Sequence, residues 1–178
     1  MSRYLLANAI LGLCAVFAAA APAPSQPVSQ EEALKWTRHL VPLPKKIEFM
    51  SKVYVPVNQI NISLHSDKES LALQAAKELH ECLGTQQRPV ADASVHLVLK
   101  IDAQEPVLAN LPNRDQAYRI GPMEGSSLLL VGGGPRGLYY AAKTMQQLLK
   151  AELRDGRAAI PLVSITDWPD LDDRGLWG

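Results

Sequence analysis

Gly132, Gly134 and Gly137 spell G-x-G-x-x-G between an apolar run, Ser127–Val131, and a helical pattern that starts at Leu138. That context can cradle a pyrophosphate on backbone amides at a helix N-terminus, and Arg136 would suit the phosphate. The pattern then departs from a dinucleotide site. The acidic residue expected about 20 positions on would fall at Glu152, still inside the helix, and only a short tail follows the next strand. A strand-to-helix turn that needs positive φ and close packing is the preferred reading of the three glycines. A second candidate is the carboxylate cluster Asp167, Asp170, Asp172 and Asp173. Paired carboxylates do the work of glycosidases, but around Pro169 a turn with Asp side chains bonding local amides is the simpler account. His39, His65, His80 and His96 have no metal-ligand spacing, and there is no G-x-S-x-G elbow. No catalytic residue, metal or cofactor is therefore assigned from these residues.

Composition sets the frame for those candidates. The chain has 178 residues, zero formal net charge, 47% hydrophobic and 20% charged residues, which suits one ordinary globular domain with a tail. Zero net charge gives no attraction for nucleic acid or an anionic membrane, and 6% aromatics argue against a base-stacking platform. The N-terminus reads as an export signal: Arg3, an apolar Leu5–Phe17 broken only by Asn8, then Ala18-Ala19-Ala20. Cleavage after Ala20 is expected, giving a secreted, periplasmic or lysosomal protein with no stable membrane span. The run is short of the roughly 20 residues a span needs. Cys14 follows Leu13 rather than a small residue, against a lipid anchor. Loss of the leader leaves Cys82 alone, so no internal disulfide is possible, and the thiol reads as a small apolar helix residue. Asn61-Ile62-Ser63 is a glycosylation sequon, meaningful only in a eukaryotic host.

The elements that must position the corner follow from periodicity. Residues 21–39 read as a linker with a weakly patterned helix over Glu31–His39, and Leu40–Pro44 is extended because proline restricts the residue before it. Lys46–Phe49 and Val53–Val57 are two short strands, and Ile60–Leu64 alternates as a half-buried strand. Ser66 or Asp67 caps a helix whose Leu71, Ala72, Ala75, Ala76, Leu79, Cys82 and Leu83 share a face. Lys68, Gln74, Lys77, Glu78 and Glu81 are left to solvent, and Gly84 is the terminator. Val95–Ile101 is a strand with His96 on its solvent face, Pro106–Asp115 a loop, and Ala117–Ile120 the start of a hairpin turning through Gly125-Ser126. Pro135 opens the second helix, with Leu138, Ala141, Ala142, Met145, Leu148, Leu149 and Leu153 inward, and Asp155-Gly156 closes it before strand Leu162–Ile165. The Met and Leu stripe is core rather than a cofactor box. This order predicts an α+β fold, a mixed or antiparallel sheet with two main helices on one face.

Tyr118-Arg119-Ile120, Leu128–Gly132 and Gly137–Leu149 together closely resemble a known domain. It is the non-catalytic α/β domain that precedes the barrel in β-N-acetylhexosaminidases of glycoside hydrolase family 20. Ile165–Asp170 followed by Arg174-Gly175 resembles the junction into the first barrel strand, and Val41–Pro44 is similar to the family's opening segment. The resemblance implies a signal peptide over 1–20, a linker over 21–39, the accessory domain over 40–167, and the start of a truncated barrel over 168–178. It also implies an exo-glycosidase that removes terminal N-acetylhexosamine from glycans. There the substrate's own 2-acetamido oxygen attacks the anomeric carbon, and an Asp-Glu pair inside the barrel assists. The chain ends before any position matching that pair, and a barrel needs about 250 residues, so the chain alone is expected to be inactive. Arg174 matches the family's arginine in the sugar site, where a guanidinium fork suits two adjacent hydroxyls. An ion pair with Asp172 or Asp173 is the structural alternative, and Trp177 either stacks on sugar or fills a core.

Two other readings stand beside the enzyme fragment. One is a stand-alone secreted carbohydrate-binding or interaction module; the other is the accessory domain of another glycosidase family, such as the α-glucuronidases. Leu171, Leu176 and Trp177 at the end favour an interrupted chain over a finished one.

Overall fold

Alternation in the sequence becomes two sheet faces. In the computed structural model, which describes residues 23–66, 70–87, 89–90 and 93–171, Val95, Leu97 and Leu99 are buried on one face while His96 and Lys100 are exposed on the other. The elements run β1 (Gln26–Pro27), α1 (Gln30–His39), β2 (Lys46–Pro56), β3 (Ile60–His65), α2 (Ser70–Leu83), β4 (Val95–Ile101), β5 (Tyr118–Pro122), β6 (Leu128–Gly132), α3 (Pro135–Ala151), β7 (Leu153–Arg154) and β8 (Arg157–Asp167). The fold is α+β, as expected. Seven strands of one mixed sheet lie in the order β1-β2-β8-β5-β6-β4-β3, with β7 paired to β8, and the sheet does not close into a barrel. β3, β4 and β6 are mutually parallel neighbours, whereas β5 runs antiparallel between β6 and β8. That antiparallel insertion separates the sheet from a doubly wound nucleotide fold.

The helices α2 and α3 pack on one face and on each other through Leu79, Leu83, Leu138, Met145, Leu148 and Leu149, all buried. Burying each such side chain contributes roughly 1.5–3 kcal/mol before entropy is counted. Gly84 ends α2 at φ +65°, a left-handed cap open to a glycine at little cost. Leu153, expected on the helix face, instead starts β7, because Asp155 and Gly156 (φ +50° and +70°) form the turn of a β7–β8 hairpin. Two expected strands are one: β2 runs through Lys46–Pro56, with an irregular register between Phe49 and Ser51 that the sequence does not announce. The proposed cap at Asp67 lies outside the described residues, as does Lys68.

The linker expectation for residues 21–39 is corrected in part. Ser29 and Glu32 form a reciprocal capping box that starts α1, and Trp36 is 2% exposed, stacked on Phe49 at 5.7 Å. Residues 26–39 thus belong to the packed structure. The hydrophobic pattern of α1 is weak because one large ring, rather than a stripe, carries its burial.

Glu32 also pairs with Lys52 on β2. The hydrogen bond from Lys52, then that from the Ser29 backbone N–H, hold its carboxyl at about 2 against an ordinary 4.5. A depressed carboxyl pKa stabilises the fold above its unfolded value and loses that contribution as pH falls through the folded one. Glu32→Gln is therefore expected to lower the unfolding midpoint at pH 7, and its gap to the parent should close between about pH 4.5 and 2. A gap independent of pH in a urea titration would contradict the pairing. Ser29→Ala should cost about 1 kcal/mol through loss of the cap.

Candidate functional site

The Gly132–Gly137 corner is a seat for the chain's own backbone. Gly133 N–H donates to Ala117 O at 2.9 Å, Gly137 N–H to Asp115 O at 3.2 Å, and Asp102 N–H to Gly132 O at 2.9 Å. The loop 102–117 is thereby sewn to the start of α3. A Cβ at Gly133 would sit 1.9 Å from Arg114 O, at Gly137 2.2 Å from Ala117 O, at Gly134 2.6 Å from Asp115 O, and at Gly132 2.0 Å from Leu138 N. None of the four has positive φ, so half of the expected reason is wrong: close approach, not a left-handed turn, requires glycine here. Several of the amide donors a phosphate would need are also missing or taken, Gly133's by Ala117 O among them. Pro135 at the first helical position has none, and Gly137's is held by Asp115 O. The nucleotide reading of G-x-G-x-x-G gives way to a packing corner.

The same loop covers the sheet face opposite the helices. Leu108, Ala117 and Val131 are buried there, with Leu111, Leu129 and Trp168 against them. Glu105 meets Arg119 of β5 at 2.8 Å. The chain leaves this second core along Asp167-Trp168-Pro169-Asp170, and each residue is held by a distant partner. Lys45 N–H donates to Asp167 Oδ1 at 3.2 Å, Lys45 Nζ donates to both Asp170 oxygens at 2.8 Å, and Asn113 Nδ2 donates to Pro169 O at 3.0 Å. The Lys45 and Lys46 ammonium groups lie 5.3 and 5.6 Å from the Trp168 ring centre. Asp167 and Asp170 do structural work, but through Lys45 rather than the local amides expected, across more than 120 residues of sequence. An exposed ion pair such as Lys45–Asp170 contributes little energy; its effect is to fix direction.

Beside this exit lies a cleft of about 150 Å³ lined by Val41, Pro42, Tyr118, Tyr140, Thr144 and Asp167, among others. Its polar groups are engaged. Tyr118 Oη and Thr144 Oγ1 share a hydrogen bond of 2.7 Å. Gln147 accepts from Val41 N–H at 2.9 Å and donates to Val41 O at 3.0 Å. Lys143 pairs with Glu78, which also accepts from Tyr139 at 3.2 Å. Glu78, expected in solvent, therefore ties α2 to α3, and the Lys143 hydrogen bond lowers its pKa. Burial, then the nearby Asp167, pushes the Tyr118 phenol far above its ordinary range, so it stays protonated.

Other candidates resolve plainly. His96 is exposed on its strand, and His80 is buried with its pKa lowered by desolvation. Burial raises the Cys82 thiol, which fits an inert helix residue. Among the described residues no cluster of three or more His, Cys, Asp or Glu could hold a metal, and no helix is long and apolar enough to cross a membrane. Arg174, Asp172, Asp173 and Trp177 lie outside the described residues. Sequence reasoning missed Lys45, Asn113 and Gln147, whose partners are over 50 positions away and leave no local signal.

A seat for backbone predicts a sharp contrast between neighbours in the corner. Gly133→Ala should destabilise by several kcal/mol or prevent folding, because an overpacked backbone contact cannot relax, while the exposed Arg136→Ala should be nearly neutral. Chemical unfolding of both variants checks this; a stable Gly133→Ala protein contradicts it.

With this geometry in place, comparison with known proteins is decisive for the family. The profile of glycosyl hydrolase family 20, domain 2, matches residues 37–168. No curated protein sequence matches the chain. Among solved structures, a GH20 exo-β-N-acetylglucosaminidase from Vibrio harveyi in complex with N-acetylglucosamine aligns with TM-score 0.55 and 18% identity, over 84% of this chain and 21% of that one. A Streptomyces plicatus N-acetyl-β-hexosaminidase aligns with TM-score 0.52 and 17% identity over 84% and 28%. A chitobiase from Flavobacterium johnsoniae aligns with TM-score 0.55 and 17% identity over 78% and 22%. At these identities the structures attest the fold, and the chain spans between about a fifth and somewhat over a quarter of their lengths. The family profile carries the assignment: the chain belongs to glycosyl hydrolase family 20, with residues 37–168 forming its domain 2.

Proposed function

We propose that this chain is the N-terminal portion of an exported β-N-acetylhexosaminidase-like hydrolase, and that it is a scaffold rather than the seat of catalysis. The observation that carries the reading is the match of residues 37–168 to the second domain of a glycosidase family. Catalysis belongs to a barrel built by polypeptide beyond this domain. There the 2-acetamido oxygen of a terminal N-acetylhexosamine attacks its own anomeric carbon, and the leaving oxygen takes a proton from an acid of an Asp-Glu pair, with retention. Arg174, four residues beyond the clamped Asp170, reaches the sugar hydroxyls through its fork of donors. Residues 1–20 are a cleaved leader.

Purified residues 21–178 should not turn over an aryl N-acetylglucosaminide, whereas the longer chain read from the gene past Gly178 should. In that longer chain Arg174→Ala is expected to lower kcat/KM by about 10- to 100-fold, the range for losing hydrogen bonds from a charged donor. Turnover by residues 21–178 alone, or full activity of the Arg174 variant, would overturn the respective assignments.

A further inference from the structure

The loop 102–117 covers only part of the helix-free sheet face, where it buries Val131 of β6. Beyond it, the outward side chains of β3 and β4 are mostly polar. Asn61 lies opposite His96, Ser63 opposite Val98 and His65 opposite Lys100, while the inward Ile60, Val95, Leu97 and Leu99 are buried. Asn61, Ser63, His65, His96 and Val98 form the floor of an open groove of about 500 Å³, and Met123, Glu124 and Ser127 of the β5–β6 turn form its wall.

Part of this floor is held in one orientation. Val90 N–H donates to Asn61 Oδ1 at 3.2 Å, which turns the amide's NH₂ group toward His96 Nδ1, 3.4 Å away. An imidazole that accepts at Nδ1 carries its proton on Nε2. The relay therefore presents an Nε2–H donor on the exposed side of β4. Among the described residues, the side chains of Ser63, His65, Glu124 and Ser127 have no hydrogen-bond or ion-pair partner.

We propose that this groove binds a neutral saccharide unit, whose hydroxyl groups bond to His96, Ser63 and Glu124 and whose C–H face lies on Val98 and Met123. Charge and donor chemistry select this occupant. The lining carries one carboxylate and no lysine or arginine, so a phosphate or sulfate group would meet repulsion with no cation to offset it. A metal ion needs a cluster of donors that the described residues do not form. An apolar peptide would leave the floor's polar groups unpaired. A sugar hydroxyl both donates and accepts, which suits a carboxylate acceptor beside an N–H donor and a serine hydroxyl. No aromatic ring lines the groove, so binding is weak, with a dissociation constant on the order of 1 mM. This site goes beyond the hydrolysis proposed for the longer chain and does not depend on it.

Titrating the 178-residue chain with tri-N-acetylchitotriose and with cellotriose, followed by amide NMR shifts, tests the site. The chain is made in a bacterial host so that Asn61 carries no glycan. At least one of the two saccharides should shift amides of residues 61–65, 96–98 and 123–127, and leave those of 41–43 and 140–147 in place. His96→Ala and Glu124→Ala, both exposed positions, should keep the unfolding midpoint and each weaken binding by about 5- to 10-fold, as for loss of one hydrogen bond. Glu31→Ala, exposed on α1, should leave binding unchanged. Asn61→Asp should move the His96 ring proton from Nε2 to Nδ1, read from the side-chain nitrogen shifts. The site is overturned if neither saccharide shifts these amides at up to about 10 mM, if the shifts centre on residues 41–43 and 140–147, or if both alanine variants bind like the parent.

Discussion

The structure depends on how closely two stretches of main chain lie at one corner. The carbonyls of Arg114, Asp115 and Ala117 press against Gly133, Gly134 and Gly137, and the Leu138 amide nitrogen against Gly132, at separations that no Cβ would allow. Two consequences follow from this approach. The hydrogen bonds it makes fix both ends of the loop 102–117, so that Leu108 and Ala117 bury the outer side of β6. They also engage the start of α3, so that in the feature that most resembles a phosphate cradle the Gly133 and Gly137 amides are bonded to the chain's own carbonyls. Close packing is the reading these contacts support, because backbone oxygens fill the space a Cβ would need and accept from the Gly133 and Gly137 amides.

From that corner the architecture leads outward in one direction. The loop supplies Asn113 to hold Pro169, and the start of β2 supplies Lys45 to hold Asp167 and Asp170. Two segments remote in sequence thus aim the end of β8. None of these contacts is individually strong, since most are half-exposed or solvated, but together they define where the chain goes next. Glu32, Glu78, Asp167 and Asp170 are bonded within the domain, and burial keeps the Tyr118 phenol protonated.

Much of the fold was legible because local patterns and tertiary packing agree. The alternation of Val95–Ile101, the glycine stop at Gly84, the hairpin through Gly125 and the stripe of α3 each encode an element that the structure contains. The misreadings have a common cause. Trp36, a single ring, secures a helix that lacks a stripe; a break in the β2 register joins what read as two strands; and Glu78 leaves solvent because Lys143 stands opposite on another helix. The glycines were correctly read as packing, yet for a partly wrong reason: none has positive φ, and the obstruction at Gly134 and Gly137 comes from a loop nearly 20 residues upstream. The family resemblance rested on the corner and its helix, and the match over 37–168 follows the same stretch. The site residue carried over by that resemblance, Arg174, lies outside the described residues.

The central claim is that the glycine corner is filled by the protein's own backbone. Amide hydrogen exchange at Gly133 and Gly137 tests it most directly, because first-turn amides of a helix have no intrahelical acceptor and exchange quickly unless something else binds them. The account predicts slow, core-like exchange at both, through Ala117 O and Asp115 O. Rapid exchange at the rate of open helix ends, slowed only on adding a phosphate ligand, would contradict it.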